Sequence, residues 1–351
     1  MKLGFLTAPF PATPLLEVAN WARSEGFAAL EIACWPVTAG GARRYAGTSH
    51  IDVASLSEAE GKEIVLSLAE RGIEISALGY YPNPLHPDVQ HRDTVVAHLK
   101  KVITAAGKMG VGLVNTFCGG DAAKNVDDNW KEAEKLWPAI IAHARDAGVK
   151  LAFENCPMIF SDDEWPGGHN IAYSPRIWRR IVEAWNGEVG INYDPSHLVW
   201  QMIDPTRFIR EFGPHIRHVH GKDMMIDRDG LYERGILSEG IGWQVPRLPG
   251  LGEVDWGSVF AALYRAGYDG PVIIEHEDRN FEGSDELGRP IIINGRSVIY
   301  HNKTYQLDYR FESATSSTLL TSIAIYKPVP LNEAPKIIPL GAGAICTIKI
   351  V

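Results

Sequence analysis

The sequence predicts a (β/α)8 barrel, and three observations carry that expectation. Up to about residue 280 the 351-residue chain alternates short apolar runs with longer amphipathic ones. Eight such runs are separated by seven helical patterns, within the roughly 250 residues that a barrel of this kind needs. The structural rival, a doubly wound sheet, would place a glycine-rich phosphate turn after an early strand. Here the first strand is followed by APFPATP.

LGFLT (3–7) is the first strand, and PLLEVANWARSEG (14–26) is the first helix, opened by proline and closed by glycine. AALEI (28–32) is the second strand. After a long loop (33–56), SEAEGKEIVLSLAERG (57–72) carries apolar residues three and four apart. IEISALG (73–79), helix DTVVAHLKKVITAAGKMG (93–110) and GLVNTF (112–117) continue the rhythm. In DNWKEAEKLWPAIIAHARDAG (128–148), Pro138 is expected to kink the helix or reset its start. VKLAFEN (149–155) is the fifth strand, followed by loop 156–173, helix SPRIWRRIVEAW (174–185) and strand EVGINYD (188–194). Helix DPTRFIREFG (204–213), strand IRHVHG (216–221), loop 221–254, helix DWGSVFAALYRAG (255–267) and strand PVIIEHE (271–277) complete the set. The strands are short and rich in branched residues, and glycine or proline bounds several of them. The three long loops follow the C-terminal ends of strands, the face where barrel enzymes place their chemistry.

Residues 1–287 are thus one barrel, and residues 288–351 change character. Alternation in SVIYHNKTYQLDYRFES, the Asn294–Gly295 pair and the Val/Ile/Thr content favour strands and hairpins over an eighth helix. A β-rich appendage, a partner-docking edge for a homo- or hetero-oligomer, and a non-native end all remain open.

Composition narrows the function classes. Hydrophobic content of 45% with 22% charged residues is ordinary for a globular chain. No window approaches the roughly 20 apolar residues of a membrane span, and MKLGFLTAPFP lacks a signal peptide's long apolar region. A cytoplasmic location without a membrane partner is expected. A net charge of −9, from 34 basic and 43 acidic residues, opposes nucleic-acid binding. Cys34, Cys118, Cys156 and Cys346 are widely spaced, so neither a disulfide framework nor a zinc ribbon is suggested. Cys118 and Cys156 read as small, half-buried residues rather than nucleophiles.

Four ionisable side chains stand at the ends of successive strands: Glu154, Asp194, His220 and Glu275. A single carboxylate there is ordinarily a loop cap, and a lone histidine a hydrogen-bonded structural residue. Four coincidences reverse that reading, because the ends of neighbouring barrel strands converge on one mouth. Three hard oxygen donors and one imidazole suit a divalent ion such as Mn, Mg, Co or Zn. Unneutralised, the carboxylates would repel one another.

The pieces LAFEN, NYDPSH, HVHGKD and VIIEHED, in this order and spacing, resemble the xylose isomerase-like barrel superfamily of sugar isomerases, epimerases and inosose dehydratases. The resemblance covers residues 1 to about 287. It implies that Glu154, Asp194, His220 and Glu275 bind one divalent ion, manganese above the others. It selects His220 over His218 because the family's ligand precedes x-Lys-Asp, here Gly221-Lys222-Asp223. Alternation agrees, since both histidines share a face and only the later one reaches the strand's end. The implied activity is proton removal beside the carbonyl of a ketose, inosose or keto-glycoside, with Glu154 and Glu275 as the two acid/base groups. His197 matches the family's Asp-x-x-His and would contact substrate rather than the ion. Lys222 would steady the developing charge, or pair with Asp223 or Glu275 without a chemical part. Glu31 is expected to orient a neighbouring group. Trp35, Tyr80, Tyr81, Trp165, Trp200 and Trp243 lie in or near the mouth loops, where aromatic faces suit a sugar ring or an aryl glycoside.

The alternatives are an inosose-type dehydratase and the metal-bearing subunit of a C-glycoside deglycosidase. A non-catalytic binding barrel and an apurinic-site endonuclease are further ones. The endonucleases bind three metals with extra histidines on early strands and an Asp-x-His after the seventh. Here the third strand ends in GYYPNP, and the later loop offers Asp227-Arg228-Asp229 without a histidine.

Overall fold

The computed structural model describes residues 1–37, 47–159, 168–236 and 242–281, and the backbone of four strands beyond them. Its strands in chain order are β1 (Leu3–Leu6), β2 (Ala29–Ala33), β3 (Glu74–Gly79), β4 (Leu113–Thr116), β5 (Lys150–Glu154), β6 (Val189–Tyr193) and β7 (Ile216–Gly221). A hairpin of β8 (Asp223–Ile226) and β9 (Gln244–Arg247) precedes β10 (Val272–Ile274). β1 to β7 and β10 form a closed parallel barrel, sealed by β10 between β7 and β1. The seam is in register, with Leu3 opposite Val272 and Ile273 opposite His220.

The helices are α1 (Leu15–Ser24), α2 (Glu58–Glu70), α3 (Val89–Met109), α4 (Val126–Asp146), α5 (Pro175–Trp185), α6 (Ser196–Val199), α7 (Pro205–Phe212), α8 (Arg228–Arg234) and α9 (Trp256–Arg265). Local chemistry explains their starts. Ser57 and Glu60 form a reciprocal capping box on α2. The side chains of Asp88, Asn125, Asp204 and Asp255 accept backbone N–H groups of the turns that follow. The Asp88 cap starts α3 four residues before the expected Asp93. Pro138 does not reset α4, which runs through it as one helix.

Large side chains such as Phe27, Trp137, Phe153, Trp178 and Phe208 fill the layer between barrel and helices. Trp137 packs on Phe153 with ring centroids 4.4 Å apart. A smaller cluster of Trp200, Met224, Ile226 and Trp243 lies with the hairpin. The hairpin, α6 and α8 were not expected from sequence. The last barrel strand is also shorter than PVIIEHE, so Glu275 lies one residue beyond it.

In the tail, β11 (Ser297–Tyr300), β12 (Lys303–Phe311), β13 (Ile338–Leu340) and β14 (Ala344–Ile350) pair antiparallel in the order β11-β12-β14-β13. Asn294 and Gly295 lie outside the described residues, as does Trp165. Among the described residues, no helix is long and apolar enough to cross a membrane.

Candidate metal centre

The four strand ends meet as a group. Glu154, Asp194, His220 and Glu275 each present one ligand atom, and these atoms all lie within 4.8 Å of one another. The backbone that aims them is pinned by amides. Asn155, next to Glu154, accepts the Asp194 N–H at 2.7 Å and donates to the Asp194 carbonyl at 2.8 Å. Asn170 donates to the Glu154 carbonyl at 3.0 Å. Asp194 Oδ1 accepts the Ser196 N–H at 2.8 Å, an Asx turn that opens α6. Its Oδ2 is left 3.2 Å from Lys222 Nζ.

His220 is oriented from behind. Its Nε2 lies 2.7 Å from Glu31 Oε2, while Glu31 Oε1 accepts the Tyr81 hydroxyl. Since Glu31 is held ionised, Nε2 carries the proton and Nδ1 faces the mouth, 3.2 Å from Glu275 Oε2 and 3.7 Å from Glu154 Oε2. This carboxylate–histidine pairing fixes ring orientation and raises the basicity of a ligating nitrogen. His218, one alternation deeper, is hydrogen-bonded to Asn192 at 2.9 Å and Ser76 at 3.1 Å. Burial pushes it down to about 4, so it is a neutral structural residue.

Lys222 is almost fully buried. Its Nζ lies 2.7 Å from Glu275, 3.2 Å from Asp194 and 3.2 Å from Glu277. It does not pair with Asp223. That carboxylate instead accepts the N–H groups of Met224, Gly250 and Val254 and the Trp256 indole, tying down residues 248–256. Glu277 was missed by the sequence reading, although i, i+2 spacing from Glu275 puts both on one face of an extended segment.

The electrostatics match an anionic, water-poor site. Burial alone would raise Glu154, but the His197 and His220 imidazoles and the Lys222 ammonium hold it well below the usual carboxylate range. Burial likewise opposes ionisation of Glu275, and Lys222 reverses that. Burial would lower Lys222 and His220, yet their carboxylate neighbours raise both well above their ordinary values. Glu154 Oε1, Asp194 Oδ2 and His197 Nε2 are buried without a hydrogen-bond partner. Asp194 Oδ2 still faces the Lys222 ammonium at 3.2 Å. A desolvated carboxylate oxygen without a hydrogen bond, such as Glu154 Oε1, costs about 1–3 kcal/mol or more, which a cation would offset. The donor set therefore fits a divalent ion. A second grouping of Glu31, His218 and His220 also falls within 4.8 Å, but its atoms are already hydrogen-bonded to one another or to Asn192, Ser76 and Tyr81.

His197, on the first turn of α6, points Nε2 between Glu154 (3.6 Å) and Asp194 (3.5 Å). Of the mouth aromatics, Trp35, Tyr80, Tyr81, Trp200 and Trp243 are all buried. Trp200 and Trp243 pack edge to face on each other, centroids 6.0 Å apart. Tyr81 is engaged by Glu31, as above.

A model of the xylose isomerase-like TIM barrel family matches residues 19–292. An uncharacterised Bacillus subtilis protein, YfiH, is 30% identical over 315 residues, covering 79% of this chain and 93% of its own. An inosose dehydratase of Lacticaseibacillus casei is 25% identical over 193 residues, 54% of this chain and 61% of that protein. Among solved structures, a D-psicose 3-epimerase crystallised in the presence of D-fructose superposes with a TM-score of 0.55 at 17% identity. The match covers 83% of this chain and 91% of that one, a likeness of fold.

Proposed function

This chain belongs to the xylose isomerase-like TIM barrel family, and from that premise we propose that it is a metal-dependent isomerase or epimerase of a small ketose, inosose or keto-glycoside. The observation that carries the reading is the convergence of Glu154, Asp194, His220 and Glu275 within 4.8 Å, with Glu154 Oε1 buried and without a hydrogen bond. A divalent ion held by those four residues, with manganese the ion we expect, would polarise a substrate carbonyl and acidify the adjacent C–H.

The chain's own groups then divide the work. Glu154 and Glu275 exchange the proton: one carboxylate removes it from carbon while the electron pair moves onto the carbonyl oxygen. The other returns a proton to carbon on the opposite face. General acid–base help of this kind is worth about 10²–10⁴ in rate. Lys222, 2.7 Å from Glu275, stabilises the negative charge and can resupply a proton. His197 Nε2, which faces Glu154 and Asp194 at 3.6 and 3.5 Å, would hydrogen-bond a substrate hydroxyl.

A second reading, dehydration, is favoured by the inosose dehydratase relatives. There the electron pair expels a β-hydroxyl, which leaves as water after taking a proton from the enzyme. Incubation in D2O with Mn2+ and a panel of ketoses, inososes and 3-keto-glycosides separates the two. Deuterium at the carbon beside the carbonyl with a new epimer supports isomerisation or epimerisation. Loss of water supports the dehydratase, and release of an aryl group supports C-glycoside cleavage. Protein that retains manganese yet exchanges no substrate proton would sink the proposal.

A further inference from the structure

The two carboxylate oxygens of Glu154 face different neighbours. Oε2 points towards His220 Nδ1, while Oε1 lies 3.6 Å from His197 Nε2. On the Oε1 side stands Cys156, two residues along, and a ligand atom from each of Glu154, Cys156 and His197 lies within 4.8 Å of the others. We propose that these three residues form a second cation site, for a thiophilic ion such as zinc, with Glu154 bridging to the first centre.

Three observations support it. Oε1 of Glu154 and Nε2 of His197 are buried and unpartnered, with His197's side chain only 9% exposed and Glu154's 2%. Their 3.6 Å separation is too long for a hydrogen bond. It matches two donors on one tetrahedral ion, which at metal–ligand distances of about 2.0–2.3 Å sit roughly 3.3–3.7 Å apart. Next, the cysteine's backbone is held. Asn170 donates to the Cys156 carbonyl at 2.6 Å, and the Met158 N–H points to Cys156 Sγ at 3.3 Å. Met158 adopts a left-handed φ of 56°, unfavourable for a side chain of its kind. Finally, Cys156 is half-buried, whereas Cys34 and Cys118 are fully buried.

The two centres differ in softness. Three carboxylates and one imidazole favour a hard ion, whereas thiolate, imidazole and one carboxylate oxygen favour zinc. Zinc in the second site would occupy Glu154 Oε1 and His197, so it would compete with substrate for both. The site goes beyond the proposed activity, shares Glu154 and His197 with it, and adds Cys156.

Cobalt(II) titration of the full chain, followed by absorption and by bound-metal analysis, tests the proposal. The expected result is a thiolate-to-cobalt charge-transfer band that saturates with one equivalent. Cys156→Ser and Cys156→Ala should both lose the band and keep the equivalent bound at the first centre. Cobalt bound without any such band, or a band that survives in both variants, would overturn the second site while leaving the first standing. A band without the further equivalent would support this site and count against the first centre.

Discussion

Gly79→Ala probes the metal centre without touching a candidate ligand. Gly79 closes β3, and a Cβ built there would lie 2.5 Å from Glu31 Oε1 and 3.1 Å from a ring carbon of Tyr81, where ordinary contact begins near 3.4 Å. The Glu31 carboxylate must therefore retreat by about 0.9 Å. It has no slack, since Oε1 is held by Tyr81 and Oε2 by His220 at 2.7 Å. Stretching the latter bond removes the group that keeps the His220 proton on Nε2 and Nδ1 aimed at the mouth. Disturbing a carboxylate behind a ligating histidine costs about 10–100-fold in metal affinity, or about 1.4–2.7 kcal/mol. The added methyl should also cost about 1–3 kcal/mol of stability through overpacking. Manganese titration calorimetry at neutral pH reads the first effect, and denaturant unfolding reads the second. Glu31→Gln combined with Gly79→Ala should lose little more affinity than either alone, because both act through one hydrogen bond. A folded Gly79→Ala protein with manganese affinity within about twofold of wild type would refute the argument that Glu31 sets His220.

Glu275→Gln should lower proton exchange by about 10²–10⁴ while one equivalent of manganese stays bound; exchange at the wild-type rate would remove Glu275 from the acid/base pair. Asp223→Asn replaces one acceptor oxygen by an NH2 group. It leaves two of its four buried donors facing another donor, at about 2–6 kcal/mol. A denaturation midpoint unchanged from wild type would contradict that role. Burial lowers His50, whose Nδ1 accepts from Thr7 while Nε2 donates to the Phe10 and Thr13 carbonyls. The neutral ring's contribution is complete above the unfolded value of about 6.5 and is lost as pH falls below it. His50→Gln should therefore lose less stability than wild type between about pH 7.5 and about pH 5.5; equal losses would show that His50 does not titrate on unfolding.

Much of the barrel is legible in the chain because its causes are local. Alternation, three- and four-residue spacing and capping residues act within one element, so seven of the helices and eight strands could be placed before any packing is considered. The positions of Glu154, Asp194 and His220 follow in the same way, since a residue at a strand's end in a barrel has only one mouth to enter. Local signals failed where distant partners decide. The β8–β9 hairpin pairs residues far apart in the chain, Asp223 opposite Arg247 and Ile226 opposite Gln244, a pairing that no periodicity announces. β10 ends at Ile274, although the Glu275 N–H still reaches the Gly221 carbonyl at 3.4 Å. The Glu275 and Glu277 side chains meet Lys222, contacts that no local pattern announces.

The sequence by itself determined which residue types stand at which strand ends, and with them the hard, anionic character of the mouth. Only the tertiary structure decided how those groups are used. It buried Lys222 among three carboxylates, tied His220 to Glu31 across 189 positions of chain, and split the two oxygens of Glu154 between His220 and His197. Each of these is a contact between side chains at or just beyond the ends of different strands, brought together by the closure of the barrel, and closure is a property of the whole sheet.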